Sequence, residues 1–399
     1  MKKICVIGLG YIGLPTAALL ANRGYEVIGV DINIEAVKTI NQGKIHIVEP
    51  DLDTFVHSAV KSGNLKAYLE PKKADIFIIC VPTPFYEESE TPTPNLDYVL
   101  SATKAISPYV KNGDIVILES TSPVGATELV KLELEKANVD TNNISLAYCP
   151  ERVLPGKIML ELTENDRIVG GINQKSTKEV KKFYETFVNG EVLTTDSRTA
   201  EMSKLVENSY RDTNIAFANE LSIISDKLDI NVWELIELAN HHPRVNILKP
   251  GSGVGGHCIA VDPWFIVSKN PEESNIIKVA REVNNYKTEW CIEKIRSKSL
   301  EFELENKTKP KIALMGLAFK PDIDDLRESP ALYIAKSLNK EFDIIVVEPN
   351  IEQSEEFELV NYQYAIEKAD IIVFLVSHKE FKSLNLNGKF SIDFCGVNK

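Results

Sequence analysis

Apolar residues in this chain follow two patterns that change along its length. Short unbroken runs dominate the first 150 or so residues: "KKICVIG" at the start, "YEVIGVD" ending at Asp31, "ADIFIICVPTP" at 74–84, "DIVILESTSPVG" at 114–125 and "ISLAYCPERVLPG" at 144–156. None alternates as a half-exposed strand does, and each stops in a Gly, Pro, Ser or Thr turn, the pattern of parallel strands buried on both faces. From about Ser197 to Asp229 the spacing turns helical, with few breakers. Glu201, Lys204, Asn208 and Arg211 recur there at intervals of three and four and share one face. Leu205, Val206, Tyr210, Ile215 and Phe217 cover the other faces, so the helix reads as buried nearly all round, with a polar stripe that lines a site.

A charged, loosely patterned stretch at 300–311 reads as a link. Beyond it, "IALMGLAFKPDIDDLRESPALYIAKSL" gives a strand, a turn at Gly316, a loop and a helix, and "FDIIVVEPN" and "KADIIVFLVS" supply further strands. The prediction is an α/β protein with two Rossmann-like doubly wound domains joined by a long central helical region. The boundaries fall at residues 1–196, 197–300 and 301–399.

The first turn carries Gly8-x-Gly10-x-x-Gly13 between a strand and a helix. In that setting the first glycine makes the turn, the second admits a pyrophosphate to the backbone, and the third packs helix on strand. The pyrophosphate then faces helix N–H groups. Asp31 ends the second strand, where a carboxylate accepts from a ribose 2′-OH, and no arginine follows it, which favours NAD over NADP. Thr83 and Thr121 lie beyond the carboxyl ends of two later strands, where ligands bind in such sheets. Both are placed equally well to cap the next helix.

Length and composition narrow the class without changing it. A chain of 399 residues suits two or three domains. Its net charge of −13, without a basic block, argues against nucleic acid as a main partner. Six scattered cysteines with no CxxC pair argue against a disulfide framework or a zinc site and favour a reducing cytoplasm, and the histidines show no metal-ligand spacing. Glycines and Pro15 interrupt the apolar N-terminal run, and no later span approaches the ~18 apolar residues of a membrane helix. One cysteine stands apart. Cys258 follows a glycine-rich turn in "GVGGHCIAVDPW", with Asp262 four residues on.

Taken together, "GLGYIGLP", "VPTP", "STSPVG", "EMSKLVENSYRDTNIAFANE", "GVGGHC" and "GLAFKPDIDDLRESPA" resemble the motifs of the UDP-glucose/GDP-mannose dehydrogenase family, in the same order and over nearly the whole chain. The resemblance implies a four-electron oxidation of a nucleotide sugar to a uronate with two NAD, for surface polysaccharide or glycan precursor synthesis. The segment "NHHPRVNILKPGSGVGGHCIAVDPWFIV" is most similar to members acting on a UDP-N-acetylhexosamine, UDP-N-acetyl-D-mannosamine first and UDP-N-acetylglucosamine second. UDP-glucose members typically carry a lysine where this chain has Val261. Ser252 stands where relatives commonly have proline, a change expected to loosen the loop.

Such an oxidation needs a nucleophile, because the aldehyde formed first has no second hydride to give until a thiolate adds to it. The resemblance assigns that thiolate to Cys258, proton management and oxyanion stabilisation to Lys204, a supporting hydrogen bond to Asn208, and thioester hydrolysis to Asp262 and Glu151. Asp262 precedes Pro263 and is equally suited to cap a helix. Tyr11, Ile12 and Arg327 join Gly8, Gly10, Gly13, Asp31, Thr83 and Thr121 on the cofactor side. Arg152, Val153, Arg211, His242, Arg244, Gly251, Gly255, Phe319 and Lys320 join Lys204 and Asn208 around the UDP-sugar, with arginines suited to the diphosphate. A homodimer or larger homo-oligomer is implied. Two rivals stay open: a β-hydroxyacid-type dehydrogenase, which needs no cysteine, and a non-catalytic NAD-binding regulator.

Overall fold

The structure, a computed structural model, describes residues 2–86, 91–256, 258–386 and 388–397. The chain divides into two compact units, residues 1–206 with 264–269, and residues 207–263 with 270–399. Among the described residues no helix is long and apolar enough to cross a membrane.

In the first unit the apolar runs form strands β1 (Lys3–Ile7), β2 (Glu26–Val30), β3 (Leu65–Tyr68), β4 (Ile76–Ile79), β5 (Ile115–Leu118), β6 (Ser145–Tyr148), β7 (Arg167–Gly171) and β8 (Val192–Asp196). They make one sheet in the order β3-β2-β1-β4-β5-β6-β7-β8. Separate apolar cores fill its two faces, one around Ile4, Leu14 and Ile78 and the other around Phe77, Val116 and Leu146. That is why these strands read as continuous runs. One pairing departs from the parallel expectation: β7 runs antiparallel to β6, with Ala147 opposite Gly171 and Tyr148 opposite Gly170. The chain leaving β6 turns back through the short helix Ile158–Glu164 and re-enters beside the end it just left.

The second unit holds β9 (Lys311–Met315), β10 (Asp343–Val347), β11 (Ile371–Phe374) and β12 (Phe390–Asp393), all parallel in the order β10-β9-β11-β12. The edge strand β12 is an addition to the three that the pattern shows. The stretch 300–311, expected as a link, is helical through Asn306, because Glu, Leu and Lys are good helix formers. It ends the 32-residue helix Asn275–Asn306, and Lys307 closes that helix in the left-handed conformation.

The two sheets share a device at their first turn. Gly8 N donates to Val30 O and Gly316 N to Val347 O, each at 2.8 Å, and both glycines have positive φ. A carboxylate from the end of the neighbouring strand ties each turn. Asp31 Oδ2 accepts from Leu9 N, while Glu348 Oε2 accepts from Leu317 N and Ala318 N. Glu348 also accepts from His378 Nε2 at 3.0 Å, and that bond with the backbone donors holds its carboxyl down at about 2, against the upward push of its burial.

A group whose folded value lies below its unfolded one stabilises the fold above the unfolded value and loses that contribution as pH falls through the folded one. Glu348 therefore stabilises the second unit fully above about pH 4.5 and loses the effect between there and about pH 2. Glu348→Gln is expected to lower stability at pH 7 by up to about 3 kcal/mol. The gap from wild type should narrow in urea titrations repeated towards pH 3 and close near pH 2, and a gap independent of pH would contradict this account.

Candidate active site

At the first turn a Cβ on Gly13 would lie 1.7 Å from Gly8 O, and one on Gly8 2.5 Å from Cys80 O, whereas one on Gly10 would meet nothing within 4 Å. Two of the glycines are thus demanded by the fold, and Gly10 faces open space where a ligand can approach. The helix Gly13–Asn22 starts there with Ile12 at its N-cap position, where no side chain takes up the first N–H groups, and with Tyr11 exposed beside it. Asp31 accepts from Leu9 N and Asn33 N through different oxygens, and each oxygen keeps a further lone pair for a ribose hydroxyl. This turn fits NAD. Thr83 and Thr121 cap no helix: Thr83 Oγ1 donates to Thr121 O at 2.7 Å, tying the loops after β4 and β5 together.

Beyond β6, Glu151 is buried, and its Oε2 lies 2.5 Å from Nη1 of the equally buried Arg167. Its Oε1 accepts from Arg152 N. Arg152 is half-buried, with Nη1 donating to Asp166 O, and Val153 packs on the apolar core. Glu119, after β5, accepts from Tyr184 OH at 2.5 Å and from Cys80 Sγ at 3.2 Å. Burial pushes its carboxyl up, and Arg167 opposes that push. Sequence reasoning missed this cluster, since Glu119, Arg167 and Tyr184 carry no local motif.

The helix Ser197–Lys227 supplies Lys204, Asn208 and Arg211 as expected, the first two half-buried and the last exposed. Two expectations for it are corrected. Glu201 lines no ligand site: its carboxylate is fully buried and accepts from Gly125 N, Thr127 N and Thr127 Oγ1, so it caps the helix Ala126–Lys136. The helix is also not buried all round, since Val206, Tyr210 and Phe217 are 45%, 70% and 54% exposed. Those side chains share a face that the described residues leave exposed.

Cys258 is exposed. Its carbonyl accepts from Val261 N and Asp262 N, so a helical turn starts at the cysteine and runs into the helix Asp262–Lys269. Asp262 is buried and its Oδ2 accepts from Asn208 Nδ2 at 2.5 Å. The second unit thus joins two of the residues assigned to catalysis.

The glycine loop before Cys258 departs from expectation. Gly251 N donates to Asn219 Oδ1 at 2.9 Å, so that N–H does not serve a ligand. A Cβ on Gly253 would strike Thr288 Oγ1 at 2.3 Å, and one on Gly255 would strike Glu328 O at 2.4 Å and Phe319 Cβ at 2.8 Å. These glycines admit the chain's own 319–330 segment. Ser252 does not loosen the loop. Its hydroxyl donates to Leu375 O, and its carbonyl accepts from Thr288 Oγ1.

A buried chain of polar groups supports the loop: Arg281 Nη1 donates to Asp212 Oδ1, Asn284 Nδ2 to the same oxygen, and Asn219 Nδ2 to Asn284 Oδ1. Its signal in sequence was the helical spacing of Asp212 and Asn219, which by itself names no partner. Lys320, His242 and Arg244 are exposed. Arg327 pairs with Asp325 at 2.6 Å, so a cofactor contact would have to compete with that carboxylate. Asp322, His378 and Glu380 place ligand-type atoms within 4.8 Å of one another. His378 spends one nitrogen on Glu348 and the other on Asp322 N, which leaves no ring nitrogen for a metal.

This combination of a dinucleotide turn, a second nucleotide-type sheet and an exposed cysteine beside an Asn–Asp pair defines a nucleotide-sugar dehydrogenase. The chain belongs to the UDP-glucose/GDP-mannose dehydrogenase family, whose NAD binding domain matches residues 2–188, central domain 198–286 and UDP binding domain 313–398. It is 55% identical to the UDP-N-acetyl-D-mannosamine dehydrogenase of Campylobacter jejuni, over 99% of each chain. It is 51% identical to an NDP-N-acetyl-D-galactosaminuronic acid dehydrogenase of Ralstonia solanacearum, over 99% of this chain and 96% of that one. A solved UDP-D-ManNAc dehydrogenase from Pyrococcus horikoshii superposes with a TM-score of 0.89 at 38% identity, covering 100% of this chain and 96% of that one.

Proposed function

We propose that this enzyme oxidises the C6 alcohol of UDP-N-acetyl-D-mannosamine to the uronate, at the expense of two NAD, in the cytoplasm and for surface polysaccharide or glycan precursor synthesis. The observation that carries the reading is the exposed Cys258 at the head of a helical turn, four residues from an Asp262 bonded to Asn208. NAD, when bound, accepts both hydrides. Lys204 takes the proton of the sugar hydroxyl and then faces the developing oxyanion, to which the remaining N–H of Asn208 adds a hydrogen bond. Cys258 adds to the aldehyde to give a thiohemiacetal, whose oxidation leaves a thioester, and Asp262 and Glu151 manage the water that hydrolyses it. The sum is alcohol plus water plus two NAD+ giving carboxylate, two NADH and three protons.

Arg152, Arg211, His242, Arg244 and Lys320 are the cations proposed for the diphosphate, and Phe319 with Lys320 hold the uridine. Gly251 and Gly255 contribute by shaping the loop, and Val153 by packing behind it. Tyr11, Ile12, Thr83, Thr121 and Arg327 border the cofactor. The three regions are assigned as cofactor domain to 196, central region to 300 and UDP-sugar domain beyond. The uncovered face of Val206, Tyr210 and Phe217 supports a homodimer built on the central helix.

The test is incubation with NAD and a panel of UDP-N-acetyl-mannosamine, -glucosamine and -galactosamine and UDP-glucose, counting NADH per sugar consumed. Two NADH per sugar and the highest kcat/KM for the mannosamine nucleotide are expected. One NADH per sugar would point to a β-hydroxyacid-type reaction, and a preference for another hexosamine would move the substrate to that epimer.

A further inference from the structure

The buried cluster beyond β4, β5 and β6 holds two carboxylates, Glu119 and Glu151, and one guanidinium, Arg167. It lies at the carboxyl ends of parallel strands, where sheets of this type do their chemistry. Arg167 gets there only because β7 is antiparallel. The register that sets Ala147 against Gly171 and Tyr148 against Gly170, carried on three residues, sets Glu151 against Arg167. The pair is 2% and 5% exposed, with Nη1 and Oε2 2.5 Å apart. Arg167 Nη2 donates to Leu162 O, which fixes the guanidinium from behind. Glu119 is held separately by Tyr184 and Cys80.

A buried carboxylate is aimed only if the partner that meets it is itself fixed. We propose that Arg167 is the positioning residue for Glu151 in hydrolysis of the acyl-enzyme, an inference that rests on the reading of Glu151 given above. In that step the oxygen of water bonds to the acyl carbon, the C–S bond breaks with its electron pair going to Cys258 sulfur, and Glu151 takes a proton of the water. No oxidant takes part, so the two hydride transfers come before the step that Arg167 serves.

The consequence is a separation of phases. In Arg167→Lys, which keeps the charge but not the planar fork, steady-state kcat is expected to fall about tenfold. A rapid burst of two NADH per active site should remain, and intact-protein mass should show the uronyl adduct accumulating on Cys258. Arg167→Gln should deepen the loss and accumulate more adduct. If it does not fold, Arg167→Lys decides alone. Loss of the burst in proportion to kcat with no adduct, or an unchanged kcat in Arg167→Lys, would overturn the assignment. Wild-type enzyme forming only one NADH per sugar would instead overturn the underlying reaction, so the two failures are distinguishable.

Discussion

Cys258→Ala is expected to abolish uronate formation, a fall of at least about 10³-fold, while NAD binding is retained. The first oxidation yields an aldehyde, and without a sulfur to add to it the carbon has no second hydride in a form that can leave. The variant therefore forms at most one NADH per sugar and no carboxylate. Because Cys258 is exposed, replacing it removes little packing, so the loss will not reflect unfolding. Uronate assayed by chromatography and NAD affinity by calorimetry check the two halves. Uronate at the wild-type rate would exclude thioester catalysis.

The largest effect on stability is expected at Arg281. Its guanidinium meets Asp212 at 2.6 Å, with side chains only 3% and 1% exposed. Arg281→Met leaves a carboxylate buried without its cation, a change that costs about 3–5 kcal/mol. The second unit should unfold at correspondingly lower urea concentration. Adding Asp212→Leu removes the stranded charge and should recover most of the loss, since a buried pair replaced by apolar groups is often near neutral. The same pair anchors the relay through Asn284 and Asn219 to Gly251 N. KM for the UDP-sugar should therefore rise more than KM for NAD in any Arg281 variant that still folds. A single mutant as stable as wild type, or a double mutant no better than the single, would show that the pair does not hold this unit together.

Much of the fold was legible because its causes are local. Strands buried on both faces leave unbroken apolar runs, and β1, β2, β4, β5, β6, β9, β10 and β11 all sit where such runs do. The glycine turn reads out because steric limits at Gly8 and Gly13 act within a few residues and on one adjacent strand end. The long helix was also legible, but its environment was not. Val206, Tyr210 and Phe217 have the spacing of a buried face, and periodicity cannot say whether the cover comes from the same chain.

The site was half legible for the same reason. Cys258, Asp262, Lys204 and Asn208 stand in motifs, yet the bond from Asn208 to Asp262 joins residues 54 positions apart. The glycines at 251–256 looked like ligand-facing backbone, whereas Phe319, Pro330 and Asn219 take up that backbone within the second unit.

By itself the sequence determined the apolar runs, the first turn, the order of the motifs and the place of one cysteine after a glycine-rich turn, because side-chain shape and short-range sterics act through neighbours along the chain. Only the tertiary structure decided that β7 reverses, which carries Arg167 to Glu151, and that Glu201 caps a helix instead of lining a site. A buried charge takes its role from the charge or dipole that meets it. Partners 16 and 74 residues away in the chain are chosen by topology, which no local pattern records.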